Sequence, residues 1–353
     1  IEFGHESLCL NHKTPVDILS LPDVPALQNS RADIRHSLEQ PLAGLPLAEI
    51  VRSTVKRKRD ASGVVVVSDN TRPVPYNGED GILEPVLDVL LEAGLNKVTV
   101  LVATGTHRAL RDDELKKMFP DSVFREDVRI INHACRDKGM LRHLGSTARG
   151  TEVWINRHYV DADIKILTGL VEPHFMAGMS GGPKSICPGI VGEQVTYGYH
   201  SASMMADANA GSMNIENNPC QDEARAVARM AGCDFAVNVT VNRDKRLTGI
   251  FSGELDAVHR AACKKVTQEC AIPIDREYDA VITHAGFSGI NHYQAAKAAV
   301  EASRAVRSGG IMILAANHID VDPVGGVNYK SLLPMLKELG SDGFDRKVLS
   351  PGW

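Results

Sequence analysis

The amino-acid sequence predicts an α/β protein with two doubly wound domains and largely parallel sheets. Short apolar, β-branched runs alternate with segments of helical periodicity along most of the chain, which is the pattern of repeated strand–helix–strand units. Several of the runs are apolar at consecutive positions, as expected of strands that are buried on both faces of a parallel sheet. The length of 353 residues gives room for two domains of ordinary size.

The first predicted elements follow one another closely. Residues 63–68 (GVVVVS) are predicted to form a buried strand. The apolar residues between 82 and 91 repeat at helical spacing up to Gly94, which ends that helix. KVTVLVAT is predicted as the next strand, and DDELKKMF as a short helix whose acidic first turn suits the helix dipole. Two further strands are predicted, VRIINHA and DIKILTGLV.

The remainder of the chain continues this pattern after one interruption. CDFAVNVTVN and the segment before FSG flank the polar residues NRDKR, which indicates a hairpin, and a helix is predicted for LDAVHRAACKKVTQE. Apolar periodicity lapses around Pro273. We therefore expect an N-terminal catalytic and cofactor-anchoring domain over 1–272 and a C-terminal α/β domain over 273–353. With only about 80 residues, this second domain is expected to be incomplete. Its predicted elements are the strand DAVITHAG, an Ala-rich helix from about Tyr293 to Val306, and the strand IMILAAN.

Composition excludes several classes of partner. The chain has 39 Lys and Arg against 44 Asp and Glu, a net charge of −5, so it offers no basic field for a nucleic acid. No apolar run approaches the roughly 20 residues that span a bilayer, and the start lacks the order of a signal peptide. The seven cysteines show no C-x-x-C spacing, which favours reduced thiols and a cytoplasmic location.

Polar residues collect immediately after four of the predicted strands. In open parallel sheets, ligands bind in the crevice beyond the carboxyl ends of the strands, so these clusters are expected to converge on one site. The clusters are SDNTRPVP, GTHR, VEPH and THAGFSG.

The most glycine-rich stretch, residues 171–192, carries the strongest candidate for a reactive side chain. The amides of Ser180, Gly181 and Gly182 could form an anion-binding nest for a cofactor. The P-loop motif matches except at Pro183, which has no N–H to donate to a phosphate. Lys184 is therefore either a solvated surface lysine or a nucleophile and covalent anchor with a partly desolvated amine.

Several other polar side chains have both a structural and a functional interpretation. His107, His174 and His200 are each explicable as hydrogen-bonded structural histidines, but as a set they suit acid/base work and metal ligation. Asp69 and Arg72 follow a buried strand. They are explained either by a structural role, as a cap and a surface ion pair, or by a functional one, in which the guanidinium binds a carboxylate or phosphate. A third group lies on the helix predicted to begin near residue 293 and consists of Tyr293, Gln294 and Lys297. Their spacing fits a binding site on one helical face and an exposed polar stripe equally well.

Taken together, these motifs resemble the lactate racemase family of nickel-pincer-nucleotide enzymes. The segments that carry the resemblance occur in the family's order over most of the chain, and the stretch from VEPH to PKSICPG is highly specific. They are SDNTRPVP, ATGTHR, TGLVEPHFMAGMSGGPKSICPG, His200 and HYQAAKA. The resemblance implies two α/β domains with the active site in the interdomain cleft.

The resemblance also implies a cofactor, a nickel-bearing pyridinium-3-thioamide-5-thiocarboxylic acid mononucleotide. Lys184 would hold this nucleotide covalently as a thioamide, and His200 would complete a roughly planar nickel site, a geometry that Ni(II) favours. Asp69 would touch the nucleotide. His107 and His174 would be the paired acid/base residues.

The implied reaction is racemisation or epimerisation of a small 2-hydroxy acid, with lactate as the default. One histidine would take the hydroxyl proton while hydride passes to the cofactor, and hydride returned to the other face of the planar 2-keto acid would give the enantiomer. The substrate carboxylate would be held by Arg72, Gln294 and Lys297, with Tyr293. The implied partners are this substrate and the proteins that build the cofactor, without nucleic acid or membrane. A P-loop-like phosphoryl-transfer NTPase and a non-catalytic carrier of the nickel nucleotide are the alternatives.

Overall fold

A computed structural model describes residues 1–13, 15–286 and 289–350. The chain divides into two compact units, a larger one over Leu21–Ala271 and a smaller one formed by Ile1–Ser20 and Ile272–Trp353. Phe287 and Ser288, which belong to the predicted cluster THAGFSG, lie outside the described residues.

The described chain contains both strands and helices throughout its length. The strands are β1 (Glu2–Phe3), β2 (Glu6–Ser7), β3 (Gly63–Ser68), β4 (Val98–Ala103), β5 (Val128–Asn132), β6 (Leu141–Ser146), β7 (Glu152–Asn156), β8 (Ile164–Leu170), β9 (Pro173–His174), β10 (Gly178–Met179), β11 (Phe235–Val241), β12 (Leu247–Gly253), β13 (Tyr278–His284) and β14 (Val306–Ala315). The helices are α1 (Ser30–Glu39), α2 (Leu47–Arg57), α3 (Leu83–Glu92), α4 (Asp112–Met118), α5 (Arg157–Val160), α6 (Glu193–Tyr199), α7 (Ala202–Met205), α8 (Pro219–Ala231), α9 (Leu255–Cys270), α10 (His292–Ala302) and α11 (Val327–Val348).

The larger unit is built on a six-stranded sheet in the order β12-β11-β8-β3-β4-β5. All neighbours in this sheet are parallel except β11 and β12, which form the predicted antiparallel hairpin. The chain runs from β3 outward to β4 and β5, and then returns to the other side of β3 to form β8. The boundary between β3 and β8 is therefore a topological switch point, where open α/β sheets bind ligands.

Helices cover both faces of this sheet, which explains the unbroken apolar runs. In β3, Val65 and Val67 join a core with the apolar faces of α1, α2 and α3, whereas Val64 and Val66 join a second core with α5, α6 and α8. Successive side chains of a strand point to opposite faces. A strand buried on both faces must consequently be apolar at every position, and the prediction of a largely parallel α/β sheet is confirmed.

The smaller unit contains a strand–helix–strand unit. Strands β13 and β14 pair in parallel, and α10 lies between them in sequence. The predicted helix is shorter than expected, because β14 begins at Val306 rather than at Ile311. Helix α11 is interrupted at Gly340, whose φ of 66° is not helical. Across the described parts of both units, none of the helices has the length and apolar character that a bilayer span requires.

Several elements of the larger unit were not predicted. Helices α1 and α2 precede the first predicted strand, and β6 and β7 form an antiparallel hairpin between β5 and β8. The short antiparallel pair β9 and β10 follows β8 and turns the glycine-rich stretch back toward the sheet.

Candidate active site

The predicted polar clusters of the larger unit follow β3, β4 and β8, which are neighbours in the sheet. Their loops are tied together by backbone and side-chain contacts: the amide of Gly105 donates to the carbonyl of Gly189 at 3.0 Å, and Arg72 forms an ion pair with Glu172. Beneath them, the buried hydroxyls of Tyr76 and Thr168 lie 2.9 Å apart and link the loop after β3 to β8. We call the group formed by Asp69, Arg72, His107, His174, Lys184 and His200 the strand-end site.

His107 and Asp69 are hydrogen-bonded across the ends of β3 and β4. The Nδ1 atom of His107 lies 2.6 Å from Oδ2 of Asp69, and the hydroxyl of Thr71 donates to Oδ1 at 2.6 Å. Burial would raise the pKa of Asp69, but the hydrogen bonds from His107 and Thr71 outweigh it and lower the pKa below its ordinary value. The carboxylate therefore fixes the orientation of the imidazole, an arrangement typical of acid/base histidines.

Arg72 is paired with Glu172, the acidic residue of the VEPH cluster, and not with Asp69. Both side chains are about one third exposed, at 35% and 31%. A guanidinium carries five N–H donors, so one carboxylate does not exhaust its capacity. The geometry leaves Arg72 able to bind a second carboxylate. Both interpretations of this segment therefore stay open: Asp69 accepts the amide of Thr71 as a local cap does, Arg72 forms a partly exposed ion pair, and the guanidinium still has donors for a carboxylate.

Lys184 and His174 are in direct contact. The amine nitrogen of Lys184 lies 3.3 Å from Nε2 of His174, whose Nδ1 accepts the backbone amides of Ala177 and Met176 at 3.2 and 3.4 Å. A neutral imidazole that accepts at Nδ1 carries its proton on Nε2. The Nε2–H group then donates to Lys184 when the amine is neutral, which is the nucleophilic state of a lysine.

The loop before Lys184 packs tightly against the protein rather than opening as a phosphate cradle. The amide of Ser180 donates to the carbonyl of Glu172 at 2.9 Å, and the amide of Gly182 donates to Oδ1 of Asn238 at 3.0 Å. Two of the three amides predicted for an anion nest thus already donate hydrogen bonds to acceptors within the protein. Gly181 and Gly182 have φ values of 68° and 51°, which explains the glycines at these positions.

Two buried polar residues support this loop from below. His259 of α9 contacts the carbonyl of Ser180 through Nε2 at 3.0 Å, and Asn238 belongs to β11. Burial lowers the pKa of His259 to about 4, so this imidazole is neutral at neutral pH and donates at Nε2. Neither residue was predicted from the sequence, because each reaches the loop from an element that lies more than 50 positions away.

His200 follows the last residue of α6 and is oriented by that helix. Its Nδ1 lies 2.9 Å from the carbonyl of Thr196, to which it donates, so Nε2 carries the lone pair that a metal ligand needs. The preceding Tyr199 is buried, and its hydroxyl lies 3.4 Å from the amine of Lys184. Tyr199 was not predicted as a site residue, although its place in YGYH, directly before His200, is a signal for it.

These donors fit the nickel nucleotide that the resemblance implies. Within residues 1–13, 15–286 and 289–350, no group of three or more His, Cys, Asp or Glu side chains could hold a metal ion. A single imidazole such as His200 suits a metal whose other ligands come from an organic group, and the amine of Lys184 is chemically suited to covalent attachment of such a group.

The remaining predicted site residues lie in the smaller unit, on the first turns of α10. The amine of Lys297 donates to Oε1 of Gln294 at 2.7 Å and lies 5.7 Å from the ring centroid of Tyr293. The three side chains therefore form one cluster. An ammonium group and an amide at one helix end are suited to a carboxylate, and this role stays a prediction.

The fold and these side chains define an α/β protein with a lysine- and histidine-containing site at the switch point of a parallel sheet. Residues 2–213 match the model of the lactate racemase N-terminal domain. The chain is 31% identical to the lactate racemase of Lactiplantibacillus plantarum and 30% identical to that of Thermoanaerobacterium thermosaccharolyticum. Each comparison runs over 291 residues, or 81% of this chain. In both cases the matched region covers 66% of the relative, so this chain spans just under two thirds of the length of each lactate racemase.

Solved structures agree with this assignment. The lactate racemase apoprotein from Thermoanaerobacterium thermosaccharolyticum is 27% identical, and the match covers 100% of this chain and 81% of that one with a TM-score of 0.85. A Thermotoga maritima protein that is 20% identical shares the fold, with a TM-score of 0.58 over 86% of this chain and 81% of its own. The chain belongs to the lactate racemase family.

Proposed function

We propose that the protein is a racemase or epimerase of a small 2-hydroxy acid, with lactate as the default substrate. The observation that carries the proposal is the contact of Lys184 with His174 at 3.3 Å, in a segment whose Gly189 carbonyl accepts the amide of Gly105 from the His107 loop. The names of the relatives support the same reaction. An amine for covalent attachment and two oriented imidazoles are the parts that this chemistry requires.

In this proposal the two histidines handle the hydroxyl proton of the substrate. The hydroxyl lies on opposite sides in the two enantiomers, so each side needs its own acid/base group. His107 presents the lone pair of Nε2 as a base, and His174, which accepts at Nδ1, presents Nε2–H as the acid that returns the proton on the other side. Asp69 holds His107 in the tautomer that presents Nε2 as the base. Nδ1 of His174 accepts hydrogen bonds from two backbone amides, which fixes the orientation of its ring.

The substrate carboxylate is assigned to cationic and amide groups. Arg72 would bind it through the guanidinium donors that Glu172 does not use. Lys297 and Gln294, with Tyr293, would complete its binding. The fork of Arg72 suits a planar carboxylate better than an ammonium group does, because it donates two parallel hydrogen bonds.

The cofactor is assigned to Lys184 and His200, with Asp69 and the Ser180–Gly182 loop beside it. When bound, the nickel nucleotide supplies a centre that accepts a hydride from the α-carbon and gives it back. Lys184 would hold it by a covalent bond, and His200 would ligate the nickel through Nε2, since Nδ1 is engaged with Thr196. The proteins that build the nucleotide are further partners. A cytoplasmic location is part of the proposal, supported by the free thiols of all seven cysteines.

The NTPase alternative is less well supported by the loop. Pro183 lacks an N–H, and the amides of Ser180 and Gly182 are donated to Glu172 and Asn238. Binding of Mg-ATP to the apoprotein would favour that alternative. A non-catalytic carrier of the nucleotide would use Lys184 and His200 but would not need His107.

The direct test is to incubate cofactor-loaded protein with one enantiomer of lactate and follow optical rotation. Loss of rotation is expected for the wild type and not for Lys184→Ala, which lacks the anchoring amine. An intact mass spectrum with nickel analysis identifies the loaded protein independently. A loaded protein that leaves lactate and other 2-hydroxy acids unchanged would contradict the proposed function, and retention of the tethered nucleotide by Lys184→Ala would remove the anchor.

A further inference from the structure

Tyr199 connects the two side chains that the proposed function assigns to the cofactor. It is the last residue of α6, it is 1% exposed, and its hydroxyl lies 3.4 Å from the amine nitrogen of Lys184. The same nitrogen lies 5.2 Å from the centroid of the Tyr199 ring. The following residue, His200, packs edge-to-face against this ring with 5.0 Å between centroids.

Both contacts are of a kind that orients the partner. The face of an aromatic ring attracts an ammonium group, and the phenol hydroxyl can donate to a neutral amine or accept from a charged one. Tyr199 can therefore hold Lys184 in either protonation state of the amine.

His200 is held from two directions at the same place. Its Nδ1 donates to the carbonyl of Thr196, one turn earlier in α6, and its ring edge meets Tyr199. Tyr199 itself packs in the core that contains Ile186 and Cys187, which directly follow the lysine-bearing turn. One buried ring thus joins the end of α6 to the turn of Lys184.

We propose that Tyr199 is a positioning residue that holds the amine of Lys184 and the imidazole of His200 at a fixed separation, so that one nucleotide reaches both. This inference rests on the proposed function for the identity of the bound group. The contact between Tyr199 and Lys184 is nevertheless a property of the apoprotein, and it is tested there without cofactor.

The first experiment measures the reactivity of Lys184 in the apoprotein. A limiting amount of an acetylating reagent is added, and acetylation of each lysine is quantified by peptide mass spectrometry. Lys165 is the internal reference, since it lies 5.7 Å from the ring of a different tyrosine, Tyr159. Tyr199→Leu removes both the attraction for the ammonium form and the covering ring. We expect Lys184 to be acetylated at least about 3-fold faster than in the wild type, with Lys165 unchanged. Tyr199→Phe keeps the ring and should stay within about 2-fold.

The second experiment measures nickel per nucleotide in protein loaded by the maturation proteins. Tyr199→Leu leaves the covalent anchor but loosens His200, so nickel per tethered nucleotide should fall at least about 3-fold, whereas Tyr199→Phe should keep the wild-type ratio. Tyr197→Leu is the matched control, because Tyr197 lies on the same helix, is 45% exposed and donates to Glu193. It should leave both readouts unchanged.

These outcomes separate the inference from the proposed function. Unchanged acetylation of Lys184 or an unchanged nickel ratio in Tyr199→Leu overturns the positioning role. If that variant fails to fold, Tyr199→Met, whose unbranched and flexible side chain adapts better to the space left by the ring, gives the same two readouts with the same criteria. Wild-type protein that gains neither nucleotide nor nickel contradicts the proposed function instead, while acetylation still decides the contact of Tyr199 with Lys184.

Discussion

The exposed imidazole of His107 is hydrogen-bonded to the buried carboxylate of Asp69, with 2.6 Å between Nδ1 and Oδ2. The Asp69 side chain is 5% exposed and that of His107 is 56% exposed. The carboxylate is therefore shielded behind the imidazole, which presents Nε2 outward. A histidine held in this way has a defined tautomer and a defined direction for proton transfer.

Replacing Asp69 by Asn should lower turnover at least about 10²-fold, on the scale of a misplaced general base. The amide of Asn can donate to Nδ1, which favours the tautomer with the proton on Nε2 and removes the base. Initial rates of racemisation at equal nickel content measure the effect. Thr71→Ala is the control, because Thr71 donates to the other oxygen of Asp69 and should cost much less. Full activity in Asp69→Asn would show that the pair does not orient a base.

Substitution of either candidate acid/base histidine should abolish most of the turnover without preventing cofactor attachment. We expect His107→Ala and His174→Ala each to reduce the rate at least about 10²-fold, because each removes the group that takes or returns the hydroxyl proton on one side of the substrate. His143→Ala is the control and should be fully active, because His143 lies in β6 and is hydrogen-bonded to Glu152 of β7. Intact mass shows whether each variant carries the nucleotide. Loaded variants that both retain turnover would favour the carrier alternative.

The strands were predictable from the sequence because burial on both faces leaves a local signal. GVVVVS has four consecutive valines, and the structure has a strand at Gly63–Ser68 in which the first five residues are buried. The hairpin β6 and β7 was not predicted, since none of the residues in Leu141–Ser146 is buried and its half-buried and exposed positions do not alternate regularly. Helix α1 was missed for a related reason, because Ile34 and Leu38 are its only large buried apolar residues.

The site was only partly predictable, because its contacts join residues far apart in sequence. His107, His174 and Lys184 stand beside strand ends, and the resemblance gave them roles. The pairing of Asp69 with His107 spans 38 positions, and that of Arg72 with Glu172 spans 100. Which carboxylate meets which cation depends on the order of the strands, and the sequence does not state that order.

Gly182→Ala should destabilise the protein through the loop that carries Lys184. A Cβ atom at Gly182 would lie 2.5 Å from the ring of His259, and the φ of 51° is unfavourable for alanine. We expect a loss of about 1–3 kcal/mol in the free energy of unfolding, measured with urea. Gly198→Ala is the matched control: its Cβ would meet nothing within 4 Å, so the helix should be unchanged or slightly stabilised. Equal stability of the two variants would mean that the loop is not packed against His259.

Stability should decrease as the pH falls from about 6.5 to 5, because two histidines are buried in the neutral form. Burial lowers the pKa of both His133 and His259 to about 4, whereas an unfolded histidine has a pKa of about 6.5. Between these values the unfolded chain binds nearly one more proton per histidine, so stability rises with pH in this window and falls on acidification. The expected slope near pH 5 is roughly 2.5 kcal/mol per pH unit for the pair.

His259→Gln distinguishes this origin from the titration of carboxylates. The carboxylates whose pKa is lowered, such as Asp69, remain ionised between pH 5 and 6.5, so they contribute little to the slope there. Removing one of the two buried histidines should roughly halve the pH dependence of the free energy of unfolding, whatever the variant's stability at neutral pH. Urea unfolding at several pH values gives both slopes. A slope that is the same in the wild type and in His259→Gln would rule out neutral burial of His259.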